Sequence, residues 1–426
     1  AGYGEPLRRL FSEQARLEEI LDFGHAPIFE DADTFPCIIV AQRRVDAATG
    51  TATASAAAPA SASAAEAEAE AEAEAEAEAE TEAETEAETE AETAAAAPAP
   101  APAPAAATPA SKDKAEATPM VSVCIVPRDR SAELSLDNYV HEHAYPVPWS
   151  RYSAEPWSLE PPEVDTLMQR IRERGVPLAE FLGVRPYRGV LTGLNEAFLV
   201  DASIRTALIR DDPGCAEIIK PYLRGQDIKR WGPDWQGLWM IFARRSIDIQ
   251  AYPSVRQHLV RYREQLEPKP RDWSKATHGD WLGRKPGSYV WYEIQDSIDY
   301  WRLFESPKIL YQEIQFHPQY AYADYPLYGN NKVFLIPTAD LYVLAVLNSP
   351  LLWWHNWRFL PHMKDEALNP AGFRMEKLPI AEPSPEIRAE VEQQAAEAMA
   401  LTQQAQTASR ELLGWLRVEF EIEKPG

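Results

Sequence analysis

Apolar residues fall into three kinds of pattern along the chain. In "EPLRRLFSEQARLEEIL", Leu7, Leu10, Phe11, Leu17, Ile20 and Leu21 recur at about helical spacing, and "EEILDF" then turns extended into Asp22–Phe23. "TFPCIIVAQRR" is a short apolar run rich in β-branched residues, the signature of a buried strand, and "MVSVCIVPR" (Met120 to Arg128) repeats it. Between them, residues 46–118 run through Ala/Thr/Ser, alternating Ala-Glu and then Ala-Pro. Alternating Ala-Glu offers no apolar stripe at period 3.6, and Ala-Pro cannot be helical. The segment therefore reads as a solvated, disordered, low-complexity insertion. Strand, insertion, strand predicts a hairpin with a lengthened tip, where added chain costs little closure entropy.

Residues 131–180 are polar and rich in Pro and Trp, and read as a connector ending in the amphipathic helix of "EVDTLMQRIRERGVPLAEFL". Residues 181–383 show short strands and turns rich in Trp and Tyr. Residues 384–420 predict a long helix, with Ser384 as N-cap and Pro385 at the first helical position. Its heptad-like seam is Ile387, Val391, Ala398, Leu401, Ala405, Ala408, Leu412 and Trp415. The fold class predicted is mixed α/β, and 426 residues accommodate two to three domains.

The formal net charge of −24 misleads, because residues 66–92 hold 14 Glu and no Lys or Arg; removing those 14 charges from −24 leaves −10. Whole-chain charge thus gives no sign of a nucleic-acid binder. Local charge differs: residues 220–275 hold 12 Lys/Arg and 6 Asp/Glu, a net of +6. Cys37, Cys124 and Cys215 show neither metal-ligand spacing nor a disulfide framework. Cys37 and Cys124 lie in apolar runs and are expected as buried thiols in a reducing cytoplasm. "HEH" (His141–His143) sets two imidazoles on one face of an extended segment without a further ligand nearby, so no metal is predicted. No apolar run approaches a membrane span, and no signal-peptide pattern opens the chain. The sequence opens at Ala1 in mid-pattern and reads as a fragment of something longer.

No catalytic signature is complete. A Gly-rich phosphate loop, a Gly-x-Ser-x-Gly elbow and nuclease spacing are all missing. "NPAG" (Asn369–Gly372) is half of an Asn-Pro-Pro-aromatic motif, and Asp211–Asp212 sit in the turn "RDDPG". "IKPYLRGQDIKRWGPDW" stands apart. It interleaves Lys220, Arg224, Lys229 and Arg230 with Tyr222, Trp231 and Trp235, around Gly225. Lys, Arg and turn N–H groups suit phosphates. The amides of Asn195, Gln226, Gln312 and Asn330–Asn331 suit adenine edges. The same composition also fits an ordinary solvated face.

From about residue 180 to 420, the ordered series "YRGVLTGLNEAFLVD", "EIIKPYLRGQDIKRW", "YPSVRQHLVRYREQLEPK", "WYEIQD", "SPKILYQEIQFHPQYAYAD", "LYVLAVLNSPLLWWHNW" and "MEKLPIAEP" resembles the C-terminal target-recognition region of type IIG restriction-modification enzymes. Related adenine-specific DNA methyltransferases share it as the TaqI-like specificity domain. "AGYGEPLRRLF", "LDFGHAPIFEDADTFPCIIVAQR" and "VSVCIVPR" look like the end of the methyltransferase domain. The resemblance implies the end of a methyltransferase-type sheet (1–45 and 119–130), the insertion, a connector (131–180), a mixed α/β recognition domain (181–383) and a long C-terminal helix (384–420). It implies double-stranded DNA and an upstream methyltransferase domain as partners. The implied DNA-contacting residues are Thr192, Asn195, Arg224, Lys229, Arg230 and Gln312, with Thr192–Gly193 and Asn195 in a tight turn facing the duplex. In the intact enzyme S-adenosylmethionine methylates a flipped adenine at N6. The family's cofactor glycines and Asn-Pro-Pro-Tyr/Phe motif are not in this sequence, so no catalytic, cofactor-binding or metal residue is assigned to it. The end of the series, "MEKLPIAEPSPEIRAEVEQQ", also resembles type I restriction specificity subunits, which are not enzymes. An inactive gene fragment is the third alternative.

Overall fold

The computed structural model describes residues 5–24, 37–43, 119–126, 135–154, 157–363 and 366–420; the 46–118 insertion lies outside them. Two compact units result. The first is drawn from Ala1–Leu21, Ile38–Cys124 and Pro146–Trp157, the second from Asp22–Cys37, Ile125–Tyr145 and Ser158–Gly426.

In the first unit a helix, Glu5–Gln14, runs into β1 (Ala15–Asp22). It is joined by β2 (Cys37–Arg43), β3 (Met120–Ile125) and β4 (Tyr145–Pro148) in the order β2-β1-β3-β4. The helix stops earlier than the spacing predicts, since Leu17, Ile20 and Leu21 are buried in β1. Ile20 and Leu21 are adjacent and so face opposite sides of the strand. An interior strand covered on both sides loses its alternation and imitates helical spacing.

The hairpin expectation is corrected by the strand order. β2 and β3 both pair with β1 rather than with each other. They lie two strand spacings apart, roughly 10 Å. β2 and β3 are therefore not the two arms of one hairpin. For the same reason Cys37 is exposed rather than buried: it opens the edge strand β2, while Cys124 is buried in the interior strand β3. The helix 5–14 is tied down by Phe11 against Trp157 (ring centroids 6.0 Å) and by Arg8 Nε donating to Ala154 O at 2.9 Å.

In the second unit "HEH" is helical, not extended. It closes the helix Leu136–His143, and the His143 ring stacks on Tyr139 at 4.1 Å. Positions two apart on a helix do not share a face. Among the described residues no group of three or more His, Cys, Asp or Glu is placed to hold a metal.

The remaining strands are β5 (Gly175–Pro177), β6 (Tyr187–Arg188), β7 (Leu199–Val200), β8 (Ile219–Leu223) and β9 (Trp239–Ile241). They continue with β10 (Lys308–Gln312), β11 (Ala321–Ala323), β12 (Tyr328–Gly329), β13 (Val333–Ile336) and β14 (Pro379–Ala381). Two four-stranded sheets form, β11-β10-β13-β6 and β12-β8-β9-β7, with β5 and β14 as a separate antiparallel pair. β10 joins two cores by alternation. Leu310 packs with Phe198, Tyr222, Leu223 and Tyr328, while Ile309 and Tyr311 pack with Tyr320, Val343 and Leu344. The chain is thus mixed α/β and ends in a long helix, as the sequence predicts.

That helix, Pro385–Glu419, starts at the predicted cap: Ser384 Oγ accepts from Ile387 N at 3.4 Å. Its packed face is rotated from the predicted seam. Val391, which belongs to the predicted seam, and Met399, which does not, meet the second core, Ala395 between them is buried, and Arg388 bonds Asp340 at 2.9 Å. Further along, Gln406 donates to Gly232 O at 3.3 Å and Arg410 to Asp234 at 2.8 Å. Ile387, Leu401, Leu412 and Trp415 of the expected seam are exposed. Polar anchors set the rotation, and an apolar pattern cannot report them.

Lys308 opens β10 fully buried, with Nζ donating to Ser306 O (3.0 Å) and Tyr325 O (2.8 Å). Burial pulls its ammonium down to about 8 from an ordinary 10.5. Below pH 8 the group is charged in both folded and unfolded chains, and the burial penalty is present in full. Between 8 and 10.5 the unfolded chain keeps a proton the folded chain has lost, so stability rises with pH. The gain across that window is on the order of 3 kcal/mol. Urea midpoints of the wild type and Lys308→Met at pH 7.5, 8.5 and 9.5 read it: the wild type gains on the variant as pH rises. Parallel curves would refute it.

Candidate functional site

β8 leads straight into the basic-aromatic segment. Its last residue, Leu223, is buried, and the chain then makes a 3₁₀ turn over Gly225–Asp227. Asp227, 4 % exposed, organises that turn. Its carboxylate accepts from Arg224 N (3.2 Å), Arg224 Nε (3.0 Å) and Arg224 Nη2 (3.0 Å). This is a fork-on-carboxylate pair closed within four residues. The carboxylate holds the Arg224 guanidinium above its ordinary value. Beside the turn, a Cβ on Gly225 would stand 3.5 Å from Gln312 Oε1, so Arg224 and Gln312 are brought together across Gly225.

The other end of the segment is fixed at Trp231. Its φ of 78° is in the left-handed region, at a cost of about 1–3 kcal/mol. Neighbours hold it there: Trp231 N donates to Tyr320 O at 2.9 Å and Tyr322 N to Trp231 O at 3.2 Å. Buried Asn348 exchanges two hydrogen bonds with the Tyr320 backbone, at 3.2 and 2.9 Å. Arg230 is drawn back to the same hub, Nη2 donating to Asn348 O at 2.7 Å. Lys229, between the two anchored ends, is exposed and has no hydrogen-bond or ion-pair partner among the described residues.

Thr192 and Asn195 lie on a separate turn. Thr192 is 2 % exposed, and its hydroxyl donates to Asn195 Oδ1 at 2.7 Å. Its side chain therefore holds the turn rather than facing outward. Asn195 is exposed as the first residue of the helix Asn195–Phe198. Gly193, at φ 81°, is obligatory here, since a Cβ would fall 2.7 Å from Arg284 Cδ and from Gln295 Oε1.

The residue that sequence reading missed is Arg284. In "LGRKPG" it looks like a solvated loop cation. It is buried, and donates to the carbonyls of Leu266 (2.9 Å), Thr192 (3.1 Å), Glu293 (2.8 Å), Val290 (3.3 Å) and Trp291 (3.1 Å). Its guanidinium lies 4.3 Å from the Tyr289 ring centre, and desolvation pulls it down to about 10. No local pattern announces such a group, because its partners are backbone carbonyls spread over a hundred positions.

With this geometry in hand, residues 220–380 match the family model of the TaqI-like C-terminal specificity domain, a stretch running from β8 to β14. That part of the chain is similar to a TaqI-like specificity domain. Two solved structures are similar in part. One is the type IIL restriction-modification enzyme MmeI in complex with DNA, at 11% identity and TM-score 0.35, covering 66% of this chain and 33% of that one. The other is the type IIG restriction endonuclease BpuSI, at 9% identity and TM-score 0.37, covering 93% of this chain and 40% of that one. The chain thus spans between a third and two fifths of each. No curated protein matches it. Among the described residues no helix is long and apolar enough to cross a membrane.

Proposed function

We propose that this chain reads a specific sequence in duplex DNA and thereby chooses the site for adenine-N6 methylation by the longer enzyme to which it belongs. The observation that carries this reading is the specificity-domain assignment over 220–380, within which a basic turn braced at both ends presents Lys229 to solvent. Lys229 contacts a phosphate. Gln312 reads a base edge beside the Gly225 turn, and Asn195 supplies a second amide through Nδ2. Arg224, Arg230 and Thr192 position these groups through Asp227, Asn348 and Asn195. Residues 1–45 and 119–130 are the end of the methyltransferase domain, and 181–383 the recognition domain. S-adenosylmethionine does not fit this chain: no glycine-rich strand–turn–helix entry and no Asn-Pro-Pro-aromatic motif occurs in its sequence. The donor belongs to the upstream domain, and no step of methyl transfer is assigned to these residues.

The expected result for Lys229→Ala is weaker binding to all sequences alike, with the salt slope lowered by about one unit. Gln312→Ala relaxes preference at one position, at about 1–3 kcal/mol. Selection from a randomised duplex pool at two salt concentrations measures both. Unchanged affinity and preference in two folded variants would place the DNA face elsewhere. The exposed apolar seam of Leu401, Leu412 and Trp415 favours a second reading, a non-enzymatic specificity subunit docked to a separate methyltransferase.

A further inference from the structure

The loop between β10 and β11, "EIQFHPQY" (Glu313 to Tyr320), is a braced projection. At its root Glu313 N donates to Lys332 O at 2.9 Å, and the Glu313 carboxylate pairs with Lys332 Nζ at 2.8 Å. Gln312 and Gln319 bond across the neck at 3.4 Å. In the middle Gln315 is buried and exchanges both backbone bonds with Leu368, at 2.9 and 2.8 Å. Fixing Gln315 inward turns its neighbours Ile314 and Phe316 outward. Phe316 is 61 % exposed.

Single exposed apolar side chains are ordinary. This one differs in its setting. It is held on a backbone that cannot fold it away, four residues from the amide of Gln312. The same loop ends at Tyr320, whose carbonyl anchors Trp231 and hence the turn that presents Lys229. An exposed phenyl on a braced loop with Gln312 at its neck, tied through Tyr320 to the turn that carries Lys229, has the chemistry of a base-step wedge: an apolar plate for the stack, an amide for the base edge, an ammonium for the backbone.

We propose that Phe316 inserts into the base stack of the bound duplex, partly unstacking one step beside the position read by Gln312. This rests on the DNA-reading function proposed above. The preferred step is pyrimidine–purine, the easiest to unstack, so the residue contributes sequence preference without a hydrogen bond to a base. The occupant is a DNA base step. A protein partner at this loop is one of the outcomes that overturn the proposal.

The test uses the full chain and the duplex selected by the wild type, with 2-aminopurine placed at each step in turn. The expected result is a fluorescence rise at one step with the wild type. Phe316→Ala loses that rise and about 5- to 150-fold in affinity, and Phe316→Trp restores both. Thermal melts confirm that the variants fold, and Phe316→Leu replaces the Ala variant if that one does not. Wild-type binding with no 2-aminopurine signal at any step overturns the inference, as does an Ala variant that keeps signal and affinity. An affinity loss with the signal intact also overturns it, placing the ring against sugar or protein. A wild type that binds no duplex at all sinks the DNA-reading function itself, which a failure confined to Phe316 leaves standing.

Discussion

Arg284→Met is expected to destabilise the second unit by about 3–5 kcal/mol, the usual loss when one member of a buried charged network is removed. In a domain of this size that lowers the melting midpoint by roughly 6–20 °C. The reason lies in the backbone it serves. Between Leu266 and Glu293 regular structure is confined to the one-turn helix Lys275–His278, so the carbonyls there have few ladder partners. Buried carbonyls must be satisfied, and a single guanidinium does so for five of them. Methionine fills the volume but donates nothing, so the loss falls on the five carbonyls, while the Glu293 carboxylate keeps Ser246 N (2.7 Å), Val290 N (3.0 Å) and Arg245, 3.8 Å away. Arg284→Lys recovers part of the loss, since three donors on a point charge cannot span five acceptors. Denaturant midpoints of the three proteins decide the matter. A methionine variant melting within about 2 °C of the wild type would show the guanidinium to be dispensable.

Asp227→Ala sets charge against shape. By charge alone, removing a carboxylate beside the proposed DNA face strengthens binding. The expected result is the opposite, an affinity loss of about tenfold, because the carboxylate builds the turn that carries Lys229. The variant loses three charge-assisted bonds, at about 2–3 kcal/mol of stability. Arg224→Ala leaves a buried carboxylate without its fork. Its cost is smaller than for a fully buried pair, since the Arg224 side chain is half in water. The double variant loses little more than Asp227→Ala alone, giving a coupling of about 1–2 kcal/mol in a double-mutant cycle. Additive losses, or tighter DNA binding by Asp227→Ala, would refute this account.

What the sequence made legible was local. "TFPCIIVAQRR" and "MVSVCIVPR" read as strands because they are short apolar runs rich in β-branched residues, and each contains one. Ser384-Pro385 reads as a helix start because capping is decided within four residues, and Ser384 Oγ does cap Ile387 N. What it hid was non-local. Nothing in "TFPCIIVAQRR" reveals that β1 comes between it and "MVSVCIVPR", so the hairpin and the burial of Cys37 were misread together. The long helix showed its apolar residues plainly, but not that Arg388, Gln406 and Arg410 would choose which face turns inward. In the candidate site the basic turn stood out by composition. Thr192 gave no sign of being buried, and Arg284, which bonds the Thr192 carbonyl, looked like any other loop cation.

The β5–β14 pair has a consequence for synthesis. Its strands join Gly175–Pro177 to Pro379–Ala381, about 200 positions apart. At ordinary elongation rates the first strand emerges from the ribosome roughly 10–40 s before its partner exists. Through that interval β5 has an open edge, and Leu178, destined for the second core, lacks Met375, Leu378 and Ile380. The second unit therefore closes only near the end of translation. A truncation before Pro379 leaves a permanently unpaired edge on the nascent chain, a target for chaperones and proteases.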